Sequence, residues 1–311
     1  MGMQVESSAA GCISQGKPLD MKTGQLTARD IVAMKHAGHR IAALTAYDYT
    51  SAQMLDTAGV PLILIGDSLG MVVQGEDTTL PVTLDQIIYH SRCVARGTRR
   101  ALLVADMPFM TYQALPEDAL RNAARLLTEG RAGAVKVEGG TDVAPTVRRM
   151  VSAGIPVCGH LGFTPQSAHA LGAPRIQGRE PSDAVSLVAD AKALELAGAF
   201  AIVLELVPAV VAQEVSQRIA IPTIGIGSGP GCDGEIQLFH DLFGLYTDFL
   251  PRHTRRYLNV AQEISTAARQ YTADVIARRF PGPEQTSDLG PQAQDKFRSL
   301  LECRENSQTT Q

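Results

Sequence analysis

The sequence predicts an α/β protein built as a (β/α)8 TIM barrel. Three observations carry that prediction. Short, nearly continuous apolar runs recur at IAALTA (41–46), PLILIG (61–66), ALLVAD (101–106), GAVKVE (133–138), IPVCGH (155–160), FAIVLE (200–205) and IPTIGI (221–226). Runs of this kind, rather than alternating ones, mark strands covered on both faces. Helical stretches separate most of them, which implies βαβ units and a parallel sheet. The repeating region spans about 240 residues, the usual size of eight such units.

The elements follow in chain order. Residues 1–25 are rich in Gly, Ser and Gln without hydrophobic periodicity and are expected to be a disordered N-terminal extension. TARDIVAMKHAG reads as a short helix, with Thr27 or Asp30 in its first turn and Gly38 after its end. Further helices are expected at 50–59, 84–97, 116–130 and 181–198. Seven strands are plain, and the eighth is assigned to DLFGLY (241–246). The domain is expected to occupy 26–284, closing with a helix at 261–280 that Pro281-Gly282-Pro283 stops. A polar tail, 285–311, carries a short helix at 293–303. The rival architecture, a doubly wound open sheet, lacks the GxGxxG turn after its first strand.

Composition narrows the function classes. A formal net charge of −4 offers no electrostatic attraction to nucleic acid or an anionic membrane. No apolar run approaches the roughly 18 residues a membrane helix needs. The N-terminus has no signal-peptide core, and its Met-Gly start is the sole hint of acylation. Five scattered cysteines without CxxC spacing fit reduced thiols in the cytoplasm rather than a disulfide scaffold or zinc cage.

Polar residues close nearly every apolar run. Asp67 and Ser68 follow the second, Asp106 ends the third, Lys136 and Glu138 lie in the fourth, His160 ends the fifth and Glu205 the sixth. In a barrel these ends converge on one face. Each has a bland reading. Asp67 could cap a helix, Asp106 could be a turn residue, and His160 could be a hydrogen-bonded core histidine. Lys136 and Glu138, two apart on one strand face, could form a structural ion pair. Five strands ending this way form a constellation instead. Asp67, Asp106 and Glu138 are hard oxygen donors of the kind Mg²⁺ takes, and no Cys or His cluster favours zinc. A Mg²⁺ ion with open positions suits chelation of a 2-oxo acid and stabilisation of an enolate. Lys136 could neutralise the acid's carboxylate, and Glu205, on another strand, could remove the proton beside its carbonyl. The run GIGSGPGCDG (225–234) would let backbone amides approach an anion or a flat ring, or simply form a tight turn.

The runs LTAYDYTSA, IGDSLG, TTLPVTLDQIIYHSRCVARG, ADMPFMTYQ, AVKVEGG, GIPVCGHLGFTPQS, VLELVP and PTIGIGSG…CDG…HDLFGL resemble, in order and spacing over about 27–284, the ketopantoate hydroxymethyltransferase family. The resemblance implies a barrel of the phosphoenolpyruvate/pyruvate superfamily type and a homo-oligomer, typically decameric. It also implies transfer of a one-carbon unit from the co-substrate 5,10-methylenetetrahydrofolate to 3-methyl-2-oxobutanoate, giving 2-dehydropantoate in pantothenate biosynthesis. Carried onto this chain, it makes Asp67 and Asp106 the Mg²⁺ holders, Glu138 a neighbour of the metal and Lys136 a substrate contact. Ser68 then binds the substrate carboxylate, His160 lines the pocket and Glu205 accepts the proton. The chain departs from the family pattern at LGAPRIQGRE (171–180), where a Gly-Gly-aromatic run is usual, at TYQ for SYQ (111–113), and in a longer tail after Thr286. None of these touches the metal or base positions. Carbon–carbon lyases of the same superfamily usually carry a cysteine in a KKCG loop, which is missing here. A non-catalytic barrel would have lost metal or base residues, and none is lost.

Overall fold

The computed structural model describes residues 24–172 and 174–308. The expected disorder of residues 1–25 therefore falls almost wholly outside the described residues. The chain divides into two compact units, one running through Tyr257 and the other Leu258–Gln311.

The first unit is a closed barrel of eight parallel strands in sequence order, with helices around it. The strands are β1 (Ile41–Thr45), β2 (Leu62–Ile65), β3 (Leu102–Asp106), β4 (Ala134–Glu138), β5 (Val157–Gly162), β6 (Ala201–Glu205), β7 (Thr223–Ile226) and β8 (Gly234–Gln237). The helices are α1 (Ala28–His36), α2 (Tyr49–Thr57), α3 (Leu69–Val72), α4 (Leu84–Gly97), α5 (Pro116–Thr128), α6 (Ala144–Ser152), α7 (Ala168–Leu171), α8 (Pro181–Ala197), α9 (Ala209–Arg218) and α10 (Phe239–Leu242). The second unit holds α11 (Val260–Ile276) and α12 (Pro291–Gln308).

The period of two along each strand sorts the apolar runs into two cores. Ile63, Ile65, Leu103, Ala105, Val135, Val137, Ile202 and Leu204 join the outer core beneath the helices. Their alternates, Leu62, Leu64, Leu102, Val104, Ala134, Cys158, Ala201 and Val203, fill the barrel interior. One more step of two along the inward set reaches Asp106 on β3, Lys136 and Glu138 on β4, His160 on β5 and Glu205 on β6. The parity that fills the interior thus also aims these side chains into the mouth.

The opposite end is plugged by α1. Thr27 and Asp30 form its capping box, with the Thr27 amide donating to Asp30 at 2.9 Å. Ile31 and Met34 enter the interior core. Lys35 donates to the carbonyls of Ser216, Ile219 and Ile221 at 2.8–3.0 Å and pairs with Asp233 at 3.0 Å.

One expected element is corrected. The eighth strand is not 241–246 but Gly234–Gln237, which pairs with β1 (Ile41↔Gly234 to Leu44↔Gln237) and with β7 (Ile224↔Gly234). The sequence hides it because Ile236 is its sole large apolar residue, between Glu235 and Gln237. Gly234 is required there, since a side chain would collide with the backbone carbonyl of Ile41. The DLFGLY run instead begins inside α10 (Phe239–Leu242) and leaves it in a turn. Phe239 and Phe243, four apart, pack edge to face at 4.8 Å against the outer core.

A buried carboxylate fixes the entry to β3. Asp56, at the end of α2, accepts the amides of Arg99, Arg100 and Ala101 at 3.0, 3.0 and 2.8 Å. Asp56→Ala leaves three amides without that acceptor. A loss of about 3 kcal/mol is expected in chemical denaturation: a hydrogen bond to a charged group contributes about 1.5–3 kcal/mol, the Ala101 amide is buried, and those of the exposed Arg99 and Arg100 regain water. A change below 1 kcal/mol would contradict this role.

Candidate active site

All seven side chains nominated from sequence line one cavity of about 380 Å³ at the C-terminal mouth of the barrel. β2 and β3 lie on one side of the ring and β6 on the other, so Asp67 and Asp106 face Glu205 across it.

On the first side, the Asp67 amide donates to Asp106 Oδ2 at 2.9 Å, which locks the two acidic loops together. Asp106 Oδ1 is buried and accepts no well-directed hydrogen bond; the Lys136 ammonium lies 2.5 Å away. Glu138 is 3.8 Å from the same ammonium. Burial acts to lower the Lys136 pKa, but Asp106, Glu138 and Asp67 outweigh it and hold the group well above the usual lysine value. Lys136 is therefore a fixed cation. The Asp67 pKa is also raised, well above its usual value, by burial first and then by the charges of Asp106 and Glu138, which favours its neutral form. Ser68 lines the cavity with its hydroxyl 2.8 Å from Tyr47 Oη.

His160 bridges the two sides. Its Nδ1 lies 3.2 Å from Glu138 Oε1 and its Nε2 3.3 Å from Glu205 Oε2. Burial and the Lys136 charge act to lower its pKa, yet contacts with Glu138 and Glu205 prevail and raise it to about 9. Burial likewise works to raise Glu138, but His160, Lys136 and the Gln166 amide hold it below the usual glutamate value. Glu205 differs from its neighbours in exposure. Its side chain is 18% accessible, against 3–5% for Asp106, Lys136, Glu138 and His160, so of the acids at the strand ends it is the one most open to the cavity. Leu206, directly after it, takes a left-handed φ of 49°, a strained conformation typical of functional turns.

Two functional residues were missed from sequence. Gln166, 4% exposed, donates from Nε2 to Asp67 Oδ2 at 2.8 Å and to the Met107 carbonyl at 2.9 Å. Its backbone amide donates to Glu138 Oε2 at 3.0 Å, and its Oε1 accepts the Tyr112 hydroxyl at 2.8 Å. Tyr112 Oη in turn accepts the Glu138 amide at 2.9 Å. Together they set the orientation of both acids. Their one sequence signal was membership of the TYQ and TPQS runs.

The cluster fits a divalent cation of magnesium type. Asp67 and Asp106 bring hard carboxylate oxygens together, and Asp106 Oδ1 is buried without a well-directed hydrogen bond, which leaves an oxygen for a cation to take up. Among the described residues no group of three or more His, Cys, Asp and Glu side chains forms a ready cage. Mg²⁺ does not require one, since it commonly takes one or two carboxylates and completes its shell with water and substrate oxygen. Asp67 and Asp106 suit that role. Both Glu138 oxygens are already engaged, one by His160 and the other by the Gln166 amide.

Known proteins place the chain. A family model described as ketopantoate hydroxymethyltransferase matches residues 25–283. A 3-methyl-2-oxobutanoate hydroxymethyltransferase of Chloroflexus aurantiacus is 56% identical over 267 residues, covering 86% of this chain and 94% of the relative. One from Dehalococcoides mccartyi is 49% identical, covering 88% and 99%. Among solved structures, a phosphoenolpyruvate phosphomutase from Streptomyces platensis subsp. rosaceus matches with a TM-score of 0.54 at 14% identity, covering 91% of this chain and 99% of that one. A phosphonopyruvate hydrolase in complex with oxalate and Mg²⁺ matches at 0.53 and 14% identity, covering 88% and 98%. At such identities the structural likeness shows the fold alone: a (β/α)8 barrel. The sequence relatives go further, and on their strength this chain belongs to the ketopantoate hydroxymethyltransferase family of transferases.

Proposed function

We propose that the protein transfers a hydroxymethyl group from 5,10-methylenetetrahydrofolate to 3-methyl-2-oxobutanoate, forming 2-dehydropantoate for pantothenate and coenzyme A synthesis in the cytoplasm. The observation that carries this reading is the placement of Glu205, the most accessible of the carboxylates at the strand ends, opposite the Asp67–Asp106 pair in a single cavity. The phosphonopyruvate hydrolase of the same fold was solved in complex with oxalate and Mg²⁺.

Asp67 and Asp106 would hold the metal, with Glu138 behind them, engaged by His160 and Gln166. Mg²⁺ bound there would supply Lewis-acid chemistry. Lys136 and Ser68 bind and orient the substrate carboxylate. Glu205 takes the proton from C3, and the resulting enolate carbon forms a bond to the donor's methylene carbon. Both carbon–nitrogen bonds that hold the methylene break, water supplies the hydroxyl oxygen, and the two folate nitrogens take up the C3 proton and one proton from that water. His160, held between Glu138 and Glu205, positions the base. Among the described residues no helix is long and apolar enough to cross a membrane. The assembled form is proposed as a homo-oligomer, a decamer by family resemblance. In its support, α11 has no buried residue and exposes Ile264, Tyr271 and Ile276.

The test is turnover by the purified chain with Mg²⁺, the oxo acid and the folate, followed by mass spectrometry. The expected product is the oxo acid enlarged by one hydroxymethyl group. Absence of that product, with the protein folded, would refute the proposal.

A further inference from the structure

The acidic cavity is small. Its volume of about 380 Å³ lies near the lower end of the roughly 300–1,000 Å³ typical of small-molecule sites. That suits a branched five-carbon acid but leaves little room for a carrier several times larger. A second cavity, of about 1310 Å³, adjoins it, and the two share Pro174, Leu206 and His253 as lining.

The chemistry changes sign between them. The first is lined by the carboxylates of Asp67, Asp106, Glu138 and Glu205, the second by Arg40, Arg175, Arg179 and Arg252. Arg175 follows Pro174 in the chain and Arg252 precedes His253, so two arginines flank residues that both cavities share. Arg40 is committed to the carbonyls of Pro230 and Cys232, and so holds the glycine-rich loop. The guanidinium groups of Arg175, Arg179 and Arg252 have no ion-pair or hydrogen-bond partner among the described residues.

The cavity's wall also holds three acids. Glu180 is the N-cap residue of α8, without a side-chain cap hydrogen bond, and Asp183 lies in the first turn, where helix amides favour negative charge. Glu235 accepts the Gln237 side-chain amide at 2.9 Å. Three unpartnered arginines against the two carboxylates of Glu180 and Asp183 leave the balance positive. Part of the wall is bare backbone: Gly227 has a φ of +66°, and a Cβ there would press on Leu206 and His253 at 2.9 and 3.1 Å.

We propose that this second cavity receives the acidic tail of the one-carbon donor, with Arg175, Arg179 and Arg252 meeting its glutamyl carboxylates while the methylene end enters the acidic cavity through the shared junction. The assignment rests on the folate reading above. It makes donor affinity depend on the number of γ-linked glutamates.

The experiment measures KM for 5,10-methylenetetrahydrofolate bearing one or three glutamates, at saturating 3-methyl-2-oxobutanoate and Mg²⁺. The full chain is compared with the double variant Arg175→Glu/Arg252→Glu and with Arg148→Glu, an exposed charge reversal on α6 outside the cavity. In the unaltered protein the triglutamate KM should be lower by about tenfold, as expected for several added charge contacts. The double variant should bring the two values together, while Arg148→Glu keeps them apart. Should the reversal impair folding, Arg175→Gln/Arg252→Gln removes the charges more gently and should give the same convergence. Equal KM values in the unaltered protein, or a preference that survives in the folded double variant, would overturn the cavity assignment and leave the transferase reading standing. No product from either folate would sink the donor reading itself, and this assignment with it.

Discussion

Glu205→Gln is expected to lower kcat about a thousandfold, within the range that a positioned general base contributes. The amide keeps the shape of the side chain and an oxygen toward His160 Nε2, 3.3 Å away in the native protein. It cannot take a proton from carbon. KM for the oxo acid should change little, because the carboxylate contacts proposed for Lys136 and Ser68 lie on the other side of the cavity. The melting temperature should also hold, since a partly exposed charge pair contributes at most about 1 kcal/mol. A variant retaining a tenth or more of the native kcat would move the base elsewhere.

Lys136→Met should act on stability as well as activity. The ammonium lies 2.5 Å from Asp106 and 3.8 Å from Glu138, and all three side chains are nearly inaccessible. Removing one partner of a buried ionic cluster typically costs about 3–5 kcal/mol, because the remaining charges stay buried without compensation. That loss is expected in metal-free denaturant titration. Added Mg²⁺ should recover part of it by supplying positive charge beside Asp67 and Asp106. Unchanged stability would show that the lysine is not needed to offset these carboxylates. Recovery of stability without activity would separate its electrostatic role from its contact with substrate.

Much of this was legible in the sequence because the barrel writes itself as a repeating pattern. Runs such as AVKVE and ALLVAD place alternate residues in two cores, and the charged residues at their ends inherit the inward parity. Lys136 and Glu138 stood out since lysine and glutamate rarely enter an apolar strand without purpose. β8 was not legible. Its strand of one apolar residue between Glu235 and Gln237 carries less signal than the neighbouring Phe239 and Phe243, whose spacing belongs to a helix. Gln166 and Tyr112 were missed for a different reason. Neither is charged, and neither lies on a periodic element. Their importance comes from hydrogen bonds linking segments distant in sequence, Gln166 to Asp67 and Tyr112 to Glu138. Long-range polar partnerships of that kind leave no local pattern.

The most direct test of the central claim, that this mouth removes the C3 proton of a metal-chelated oxo acid, needs no folate. 3-Methyl-2-oxobutanoate is incubated with the protein in deuterated water, with Mg²⁺ or with a chelator, and the C3 proton signal is followed by NMR. The account predicts exchange that requires both protein and Mg²⁺ and is lost in Glu205→Gln. Exchange at an undiminished rate in that variant, or none in the native protein with Mg²⁺ present, would contradict it.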